Sequence, residues 1–225
     1  MPPAEHPERS LEQILEGFRS VTTPSVADAV DRVVHRPGFM SHEIKPVVAG
    51  KVVGPAITVL EGPALETGPP RHALEAIDTA LAGSVLVIGT LDPTAARDVA
   101  FLGGLMATAA VVRGLGGAVL DGGVRDVEEI RQLGFPVFAR SVVPATTVGR
   151  YGTLARDLPV PCGGVWVRPG DIIVGDPDGV VVVPQEHAGQ VLAVALEIEE
   201  TERRMAARIR ELGSIRRALE ELGRI

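Results

Sequence analysis

The sequence predicts an α/β fold, a single mixed-sheet domain with C-terminal helices. Through the middle of the chain, short apolar runs alternate with helix-like segments, which indicates parallel strands joined by crossover helices. After about residue 160 the pattern changes to three short β runs separated by turn residues, which indicates an antiparallel part of the sheet. From Gln185 the helical periodicity returns. We therefore expect residues 1–225 to form one domain, with residues 186–225 as a helical extension that contacts a neighbouring subunit.

Two helices are predicted near the N-terminus. Residues 10–20 form the first, because Ser10 and Gln13 match a capping box. Its apolar residues fall on one helical face: Leu11, Ile14, Leu15 and Phe18. The second helix opens at Thr23, with Pro24 at the first helical position, and runs through the segment SVADAVDRV.

The next segments alternate between strand and helix. GKVVGPAITVL is typical of a strand that the Gly54–Pro55 pair can break, RHALEAIDTAL has helical spacing, and SVLVIG is a short buried strand. The alanine-rich segment GGLMATAAVVRG is predicted to be a helix that ends near Gly114. GAVLD is a buried strand, VEEIRQLG is a helix closed by Gly134, and PVFA is a further strand.

The last part of the chain combines turn signals with polar helices. Pro169-Gly170-Asp171 and Asp178-Gly179 separate the β runs, because proline presets φ and glycine accepts positive φ. The final helices are too polar for a core, yet they carry an apolar set: Leu192, Val194, Leu196 and Ile198. We expect this set at a subunit contact, since a free helix should not expose so much apolar surface.

Charge and composition exclude several classes of function. The net charge is −7 and aromatic residues make up 3%, so neither phosphate backbones nor single-stranded bases are expected partners. The arginine-rich run TERRMAARIRELGSIRRALEELGRI is interpreted as a solvated or subunit-facing helix with Glu/Arg pairs, and nucleic-acid contact is the alternative. Cys162 is the only cysteine, so a disulfide within the chain is impossible and a reducing compartment fits.

The predicted localisation is cytoplasmic. The start, MPPAEHPERSLEQILEGF, lacks the basic and apolar regions of a signal peptide. Every apolar run of membrane-spanning length is interrupted by glycine, proline or charge, so no membrane association is expected.

Standard catalytic motifs are absent from the sequence. It contains no HExxH, no cysteine pair for zinc, no P-loop and no Gly-x-Ser-x-Gly, and its histidines have no spaced partner. The glycines of GLGGAV precede a strand instead of following one, which is the wrong context for a dinucleotide. Lys45 and Lys51 are the only lysines, and both lie far in sequence from the glycine-rich centre. A carbon–carbon lyase would therefore more readily use a metal than a Schiff base as its electron sink.

The candidate site follows the strand GAVLD. Ligands of open α/β sheets bind beyond the carboxyl ends of the strands, where this strand delivers Arg125 and Asp126. A guanidinium can hold a carboxylate through two hydrogen bonds, and a carboxylate can orient Mg²⁺ or Mn²⁺. The helix start Gly103-Gly104-Leu105-Met106 offers free amides to an anion. Alternatively, Asp126 caps its helix and Arg125 pairs with a glutamate; the residue types leave both interpretations open.

Four segments resemble the RraA-like family: GPAITV, GSVLVIG, GGLMATAAVVRGLGGAVLDGGVRDVEEIRQLGFPVFAR and VRPGDIIVGDPDGVVVVP. This family contains the regulator of ribonuclease activity A and class II aldolases acting on 4-hydroxy-4-methyl-2-oxoglutarate and 4-carboxy-4-hydroxy-2-oxoadipate. The resemblance covers about residues 20–215, and Asp-Gly-x-x-Arg-Asp with the preceding Gly-x-Leu-Met-Ala is its most specific part. It implies a domain of the swivelling β/β/α type, trimeric or hexameric rings with active sites between subunits, a divalent metal and release of pyruvate.

The resemblance also implies roles for individual residues. Asp126 would hold the metal, largely through water, and Arg125 would contact a carboxylate or oxo oxygen of the substrate, which makes these two the predicted catalytic residues. The backbone of Gly103 to Met106 would bind the pyruvoyl end. Aldolase members usually show Gly-Glu-Leu at the helix start, whereas this chain has Gly104 in the middle position, so the contact of that glutamate is in question. The segment GTLDPTAARDVAF also departs from the family's glycine-rich loop, which leaves the substrate open and admits a sugar acid.

Retention of both Arg125 and Asp126 favours an enzyme. We predict a divalent-metal-dependent carbon–carbon lyase that acts on a small 2-oxo acid, by retro-aldol cleavage of the 4-hydroxy-4-methyl-2-oxoglutarate type or by decarboxylation of oxaloacetate. Both reactions pass through a pyruvate enolate, whose charge the metal and Arg125 would stabilise. Asp121 and an acidic residue from another subunit's C-terminal helix are the candidate bases. The alternative is a non-catalytic ring, a homotrimer or homohexamer, that binds a ribonuclease or another protein.

Overall fold

The computed structural model of the protein describes residues 9–65 and 67–223. Its helices are α1 (Leu11–Ser20), α2 (Thr23–Val34), α3 (Arg71–Thr79), α4 (Pro93–Ala96), α5 (Gly104–Val112), α6 (Val127–Gln132), α7 (Ala188–Leu212) and α8 (Ile215–Leu222). Its strands are β1 (Lys45–Val48), β2 (Val52–Pro63), β3 (Val85–Thr90), β4 (Ala100–Leu102), β5 (Gly117–Val124), β6 (Val137–Val142), β7 (Tyr151–Arg156), β8 (Val160–Cys162), β9 (Val165–Val167), β10 (Ile172–Asp176) and β11 (Gly179–Val183). Residues 1–8, on which part of the signal-peptide prediction rests, lie outside the described residues.

A nine-stranded mixed sheet forms the centre of the fold. Its order is β1-β6-β5-β3-β2-β10-β11, with β4 beside β5 and β7 beside β2. Strands β2, β3, β5 and β6 run parallel, as the strand–helix alternation predicts. Strands β1, β7, β10 and β11 pair antiparallel with their neighbours, and β8 and β9 form a separate antiparallel pair. The predicted α/β mixed-sheet fold is therefore confirmed.

Strand β2 is continuous, so the predicted break at Gly54–Pro55 is wrong. The strand changes partner there instead: Pro55 is the last residue paired with β10, and Ala56 is the first paired with β3. Proline is tolerated where ladder hydrogen bonds change partner, because it has no N–H to donate. A Cβ at Gly54 would overlap the carbonyl oxygen of Gly83, so glycine allows the two backbones to approach closely.

The predicted helix signals at the N-terminus and in the middle of the chain are confirmed. Ser10 and Gln13 form a reciprocal capping box at the start of α1. Gly114 and Gly134 adopt positive φ, 74° and 65°, just after the ends of α5 and α6. Since glycine enters this region without a steric penalty, both positions stop a helix at little cost.

Apolar side chains cover both faces of the sheet. On one face, α3, α5 and α6 contribute to a cluster that includes Leu120 of β5. On the other face, the β8–β9 pair covers a cluster that includes Val119 of β5 and Cys162. Burial raises the pKa of the Cys162 thiol well above its usual value, as expected for a structural cysteine. Because side chains alternate along a strand, Val119 and Asp121 face the β8–β9 pair.

The apolar residues of α7 are used within the chain, so the expectation that they form exposed surface is wrong. Leu192 and Ile198 are buried in a cluster with residues of α1 and α2. Val194 and Leu196 pack half-buried against the same cluster. The two N-terminal helices thus supply the cover that the sequence prediction assigned to another subunit. Contact of residues 186–225 with a neighbouring subunit stays a prediction.

The arginine-rich end of the chain is a surface of ion pairs, as predicted. The pairs are Arg203 with Glu200, Arg208 with Glu211 and Glu221, and Arg216 with Glu220. Helix α8 also exposes a short apolar row: Ile215, Leu219 and Leu222. No helix within residues 9–65 and 67–223 is long and apolar enough to cross a membrane.

Candidate functional site at the start of α5

Two turns meet at the carboxyl edge of the sheet. Strand β4 leads into α5, strand β5 leads into α6, and the two strands pair in parallel with Leu102 beside Val124. The backbone N–H of Arg125 donates to the carbonyl of Leu102 at 3.0 Å, which ties the turns together. The structure therefore brings the start of α5 and the Arg125–Asp126 pair into contact, as predicted.

Asp126 connects the two turns through its carboxylate. Its Oδ2 accepts a hydrogen bond from the backbone N–H of Gly104 at 3.0 Å. Asp126 precedes α6, yet its side chain makes no capping bond to that helix. Its backbone is left-handed, with φ 56° and ψ 37°, a conformation that costs a non-glycine residue about 1–2 kcal/mol. The carboxylate caps α5 instead of α6, and no described residue hydrogen-bonds to its Oδ1.

Arg125 lies beside this carboxylate without a strong partner. Its Nε is 3.7 Å from Asp126 Oδ2, and the two side chains are 42% and 45% exposed. A half-exposed pair at this distance contributes about 0–1 kcal/mol to stability. Within the described part of the chain, the guanidinium makes no hydrogen bond. It can therefore form paired hydrogen bonds to an incoming carboxylate or oxo group.

The start of α5 has unused amides. The first helical hydrogen bond runs from the N–H of Ala107 to the carbonyl of Gly103 at 3.0 Å. The N–H groups of Leu105 and Met106 have no acceptor among residues 9–65 and 67–223. Orphan amides and the positive end of the helix dipole favour an anion here. The Gly104 N–H, by contrast, is already occupied by Asp126.

Glycines 103 and 104 allow charged side chains to approach the helix start. A Cβ at Gly103 would lie 2.9 Å from both Arg125 Nε and Asp126 Oδ2. A Cβ at Gly104 would overlap the carboxylate of Glu129, the third residue of α6. Glu129 is thus a member of the cluster that the sequence analysis did not name. The Asp-x-x-Glu spacing from Asp126 to Glu129 matches a capping box for α6, so it gave no sign of the contact with α5.

An open depression adjoins the charged cluster. Its volume is about 320 Å³, and Arg125, Asp126, Val142, Val143 and Pro144 line it. One side is therefore charged and the other apolar. Such a combination fits a small acid whose polar end binds the charges while its carbon chain contacts the apolar wall.

Asp121, a candidate base, lies elsewhere, which corrects that expectation. It is buried on the β8–β9 face of the sheet, where its Oδ1 accepts from Arg140 Nε at 2.6 Å. Arg140 also pairs with Glu43, and Glu43 pairs with Arg97. Burial raises the pKa of Asp121, and the attraction of Arg140 opposes this rise. The alternation of β5 turns Asp121 away from the start of α5, and its carboxylate is already paired.

Three other polar side chains near the end of β2 contain buried atoms without partners. Among the described residues, both carboxyl oxygens of Glu61, the Tyr151 hydroxyl and Nδ1 of His72 lack a hydrogen-bond partner. Glu61 is fully buried beside Thr90 of β3, and burial raises the pKa of Glu61 to about 8. The carboxyl group is therefore neutral at pH 7. Sequence reasoning missed it, because one glutamate at a strand end gives no sign of its burial.

The fold and the site together define a class of protein. It is an α/β domain that presents a helix start, an arginine and carboxylates at the carboxyl edge of a mixed sheet, where small anions bind. The chain belongs to the RraA-like family, because the family model described as Aldolase/RraA matches residues 23–182. This range contains the whole cluster at the start of α5. The predicted family membership is confirmed.

The chain is also similar in sequence to individual proteins. A protein of Halalkalibacterium halodurans, which carries the provisional name 4-hydroxy-4-methyl-2-oxoglutarate aldolase, is 35% identical over 179 residues. The match covers 79% of this chain and 80% of that protein. Protein DlpA of Legionella pneumophila is 30% identical over 214 residues, and the match covers 94% of this chain but only 34% of DlpA.

Solved structures share the fold along nearly the whole chain. An uncharacterized protein from Pseudomonas syringae has 29% identity and a TM-score of 0.82, covering 94% of this chain and 99% of that one. RraAS2 of Streptomyces coelicolor, described as an unusual member of the RNase ES inhibitor RraA protein family, has 26% identity and a TM-score of 0.74. That match covers 88% of this chain and 98% of RraAS2.

Proposed function

We propose that the protein is a divalent-metal-dependent carbon–carbon lyase that acts on a small 2-oxo acid. The reaction is retro-aldol cleavage of the 4-hydroxy-4-methyl-2-oxoglutarate type, decarboxylation of oxaloacetate, or both. One observation carries the proposal: Arg125, Asp126 and the free amides of α5 meet at one end of the sheet with unused hydrogen-bonding capacity. Relatives that carry aldolase names support a lyase role.

Substrate binding follows from the groups that the chain leaves open. The amides of Leu105 and Met106 hold the carboxylate of the pyruvoyl end, and Arg125 faces the oxo oxygen. When the carbon–carbon bond beta to the oxo group breaks, negative charge develops on that oxygen. Arg125 is then placed to stabilise this charge, and its interaction with the oxygen strengthens as the reaction proceeds. The apolar wall at Val142 contacts the carbon chain of the substrate.

The donor set at Asp126 fits a hydrated hard cation. Its Oδ2 is fixed by Gly104, whereas its Oδ1 is open to solvent-side ligands. Among the described residues, no group of three or more His, Cys, Asp or Glu side chains is arranged to chelate a metal. Mg²⁺ and Mn²⁺ suit this arrangement, since such cations keep several waters and need one or two carboxylates. Bound there, the cation would supply Lewis acidity to the substrate oxygens.

The lysines support metal chemistry over a Schiff base. Lys51 Nζ contacts the Val21 carbonyl and lies 3.4 Å from Asp176, in the region of α2 and β10. Lys45 lies on β1 beside Ala139, at the edge of the sheet. Neither side chain lies at the start of α5.

Pyruvate release from a panel of 2-oxo acids tests the proposal. With Mg²⁺ or Mn²⁺ the protein should cleave at least one of 4-hydroxy-4-methyl-2-oxoglutarate and oxaloacetate, and EDTA should abolish turnover reversibly. Borohydride added with substrate should trap no adduct. A covalent adduct on Lys45 or Lys51 would show a Schiff-base mechanism and overturn the metal assignment.

The alternative function is a non-catalytic regulator that binds a ribonuclease. The similarity to RraAS2 favours this candidate. A folded protein without turnover on the whole substrate panel, but with saturable binding to an RNase E-type enzyme, would replace the lyase proposal. Intact Arg125 and Asp126 favour the enzyme.

We also propose that the protein assembles as a trimer or hexamer. The exposed apolar row of α8 and the exposed Leu105 beside the site offer surface for a second copy. Sedimentation velocity at micromolar concentration should show a species of three or six chains. A monomer would remove the assembly and any active site shared between subunits.

A further inference from the structure

Position 104 is a glycine, and the carboxylate of Glu129 occupies the space that a larger side chain at this position would fill. A Cβ at Gly104 would overlap the Glu129 carboxyl group. No described residue hydrogen-bonds or ion-pairs with the side-chain carboxylate of Glu129. The adjacent Glu128, on the same helix, pairs with Arg131. Glu129 is therefore the glutamate of α6 that faces the start of α5 and keeps its oxygens available.

The local sequence would let Asp126 and Glu129 cap α6, but the structure directs both to α5. Asp126 is the N-cap of α6 and Glu129 is its third residue, the spacing of a capping box. No side-chain cap bond to α6 is present, and Asp126 instead accepts the N–H of Gly104. One carboxylate is sufficient to cap this amide. The carboxylate of Glu129 lies against the same residue, Gly104, and has no hydrogen-bond partner among the described residues.

We propose that Glu129 is a further metal-positioning residue of the site, acting with Asp126 on the hydration shell of the divalent cation. The inference rests on the proposed function, since it takes the cation from there. Two carboxylates with several retained waters are a common arrangement for Mg²⁺. Both carboxylates lie against Gly104: its N–H donates to Asp126, and its lack of a side chain provides the space for Glu129.

Binding of Mn²⁺ alone, followed by electron paramagnetic resonance, tests the role of Glu129. Glu129→Gln should weaken Mn²⁺ binding about 10-fold or more, a loss typical of residues around a metal's direct ligands. Glu128→Gln is the matched control, because it removes the same charge from the same helix; its Mn²⁺ affinity should stay within about 2-fold of the natural protein. The thermal midpoints of both variants should match that of the natural protein.

Gly104→Ala gives an independent test by displacing Glu129 without changing it. The φ of Gly104 is not positive, so alanine fits the backbone, and alanine favours a helix more than glycine does. The added methyl group must push the flexible Glu129 side chain away. We expect an unchanged or higher thermal midpoint together with the same loss of Mn²⁺ affinity as Glu129→Gln. The double variant should lose no more than either single variant.

The outcomes separate this inference from the proposed function. If folded Glu129→Gln binds Mn²⁺ as tightly as the natural protein, the role of Glu129 is overturned, whatever the turnover. If the natural protein binds no Mn²⁺, the role is overturned as well. If Mn²⁺ binding falls as expected but no 2-oxo acid is cleaved, the role of Glu129 stands and the lyase proposal fails.

Discussion

Two aspartates near the end of β5 have opposite surroundings. Asp121 is buried, and its carboxylate is held by Arg140 at 2.6 Å within a network that continues to Glu43. Asp126 is 45% exposed, and its single ion-pair partner among residues 9–65 and 67–223, Arg125, is 3.7 Å away. Within the described chain, the first carboxylate is paired by a buried cation and the second retains an open oxygen.

The difference separates a carboxylate that is used within the fold from one that keeps an unpaired oxygen. A buried carboxylate must be fully paired, because an unpaired buried charge costs several kcal/mol. Asp121 is buried and committed to its ion pair with Arg140. The backbone of Asp126 is left-handed, and its side chain makes no capping bond to α6. Its Oδ1 has no hydrogen-bond partner among the described residues. We attribute the Asp121 network to stability, and the proposed function assigns the Asp126 cluster to ligand binding.

Removal of Asp121 should produce the largest loss of stability. Asp121→Ala leaves Arg140 buried beside an empty position, so the free energy of unfolding should fall by about 3–5 kcal/mol. Urea unfolding followed by circular dichroism measures this loss. Glu200→Ala is the control, because its pair with Arg203 is exposed and should contribute at most about 1 kcal/mol. A loss below about 1 kcal/mol for Asp121→Ala would contradict the structural role of the network.

Glu61 extends the comparison to a buried carboxyl group that has no partner. Its pKa of about 8 in the folded state exceeds its usual value of 4.5, so folded chains keep this proton where unfolded chains lose it. The free energy of unfolding should therefore fall by a few kcal/mol as the pH rises from about 4.5 to about 8. Above pH 8, Glu61 should cause no further fall.

Glu61→Gln isolates this dependence, because glutamine does not titrate. The free energy of unfolding of both proteins is measured with urea at several pH values. Between about pH 4.5 and pH 8, the natural protein should lose stability relative to Glu61→Gln as the pH rises. Parallel curves would mean that Glu61 ionises normally in the folded protein.

Replacement of Arg125 should have a smaller effect, confined to catalysis. Arg125→Lys keeps the charge but loses the planar pair of donors, so kcat/KM should fall about 10- to 100-fold. The thermal midpoint should move by less than about 3 °C, since the ion pair with Asp126 is half exposed. Arg131→Lys, on the exposed side of α6, should leave both quantities unchanged. A lower midpoint with normal kinetics would assign Arg125 to the fold.

Much of the fold could be predicted from local patterns. The alternation of apolar runs and helices indicates the parallel strands, and the Ser10–Gln13 pair indicates the start of α1. Periodicity shows that a helix has an apolar face, but it does not show what covers that face. The residues around Leu192 were therefore assigned to another subunit, although α1 and α2 cover them.

The site could be predicted only in part, for a similar reason. Arg125 and Asp126 follow a buried strand, a position that indicates a ligand site in any open α/β sheet. The direction of Glu129 depends on the left-handed turn at Asp126 and on the pairing of β4 with β5. The partner of Asp121, Arg140, comes from the neighbouring strand β6. Contacts set by strand neighbours and by one unusual backbone angle are not visible in residue types.

Kinetics and thermal unfolding of Asp126→Asn test most directly whether the Asp126 cluster is a ligand site. Asparagine tolerates the left-handed backbone and can still accept the N–H of Gly104, so the cap is kept while the charge is lost. We expect a thermal midpoint within about 3 °C of the natural protein, and a fall in turnover of about 10²- to 10³-fold on the oxo acid that the natural protein cleaves. Normal turnover in the folded variant would show that Asp126 serves only to cap α5, and the division between the two aspartates would be wrong.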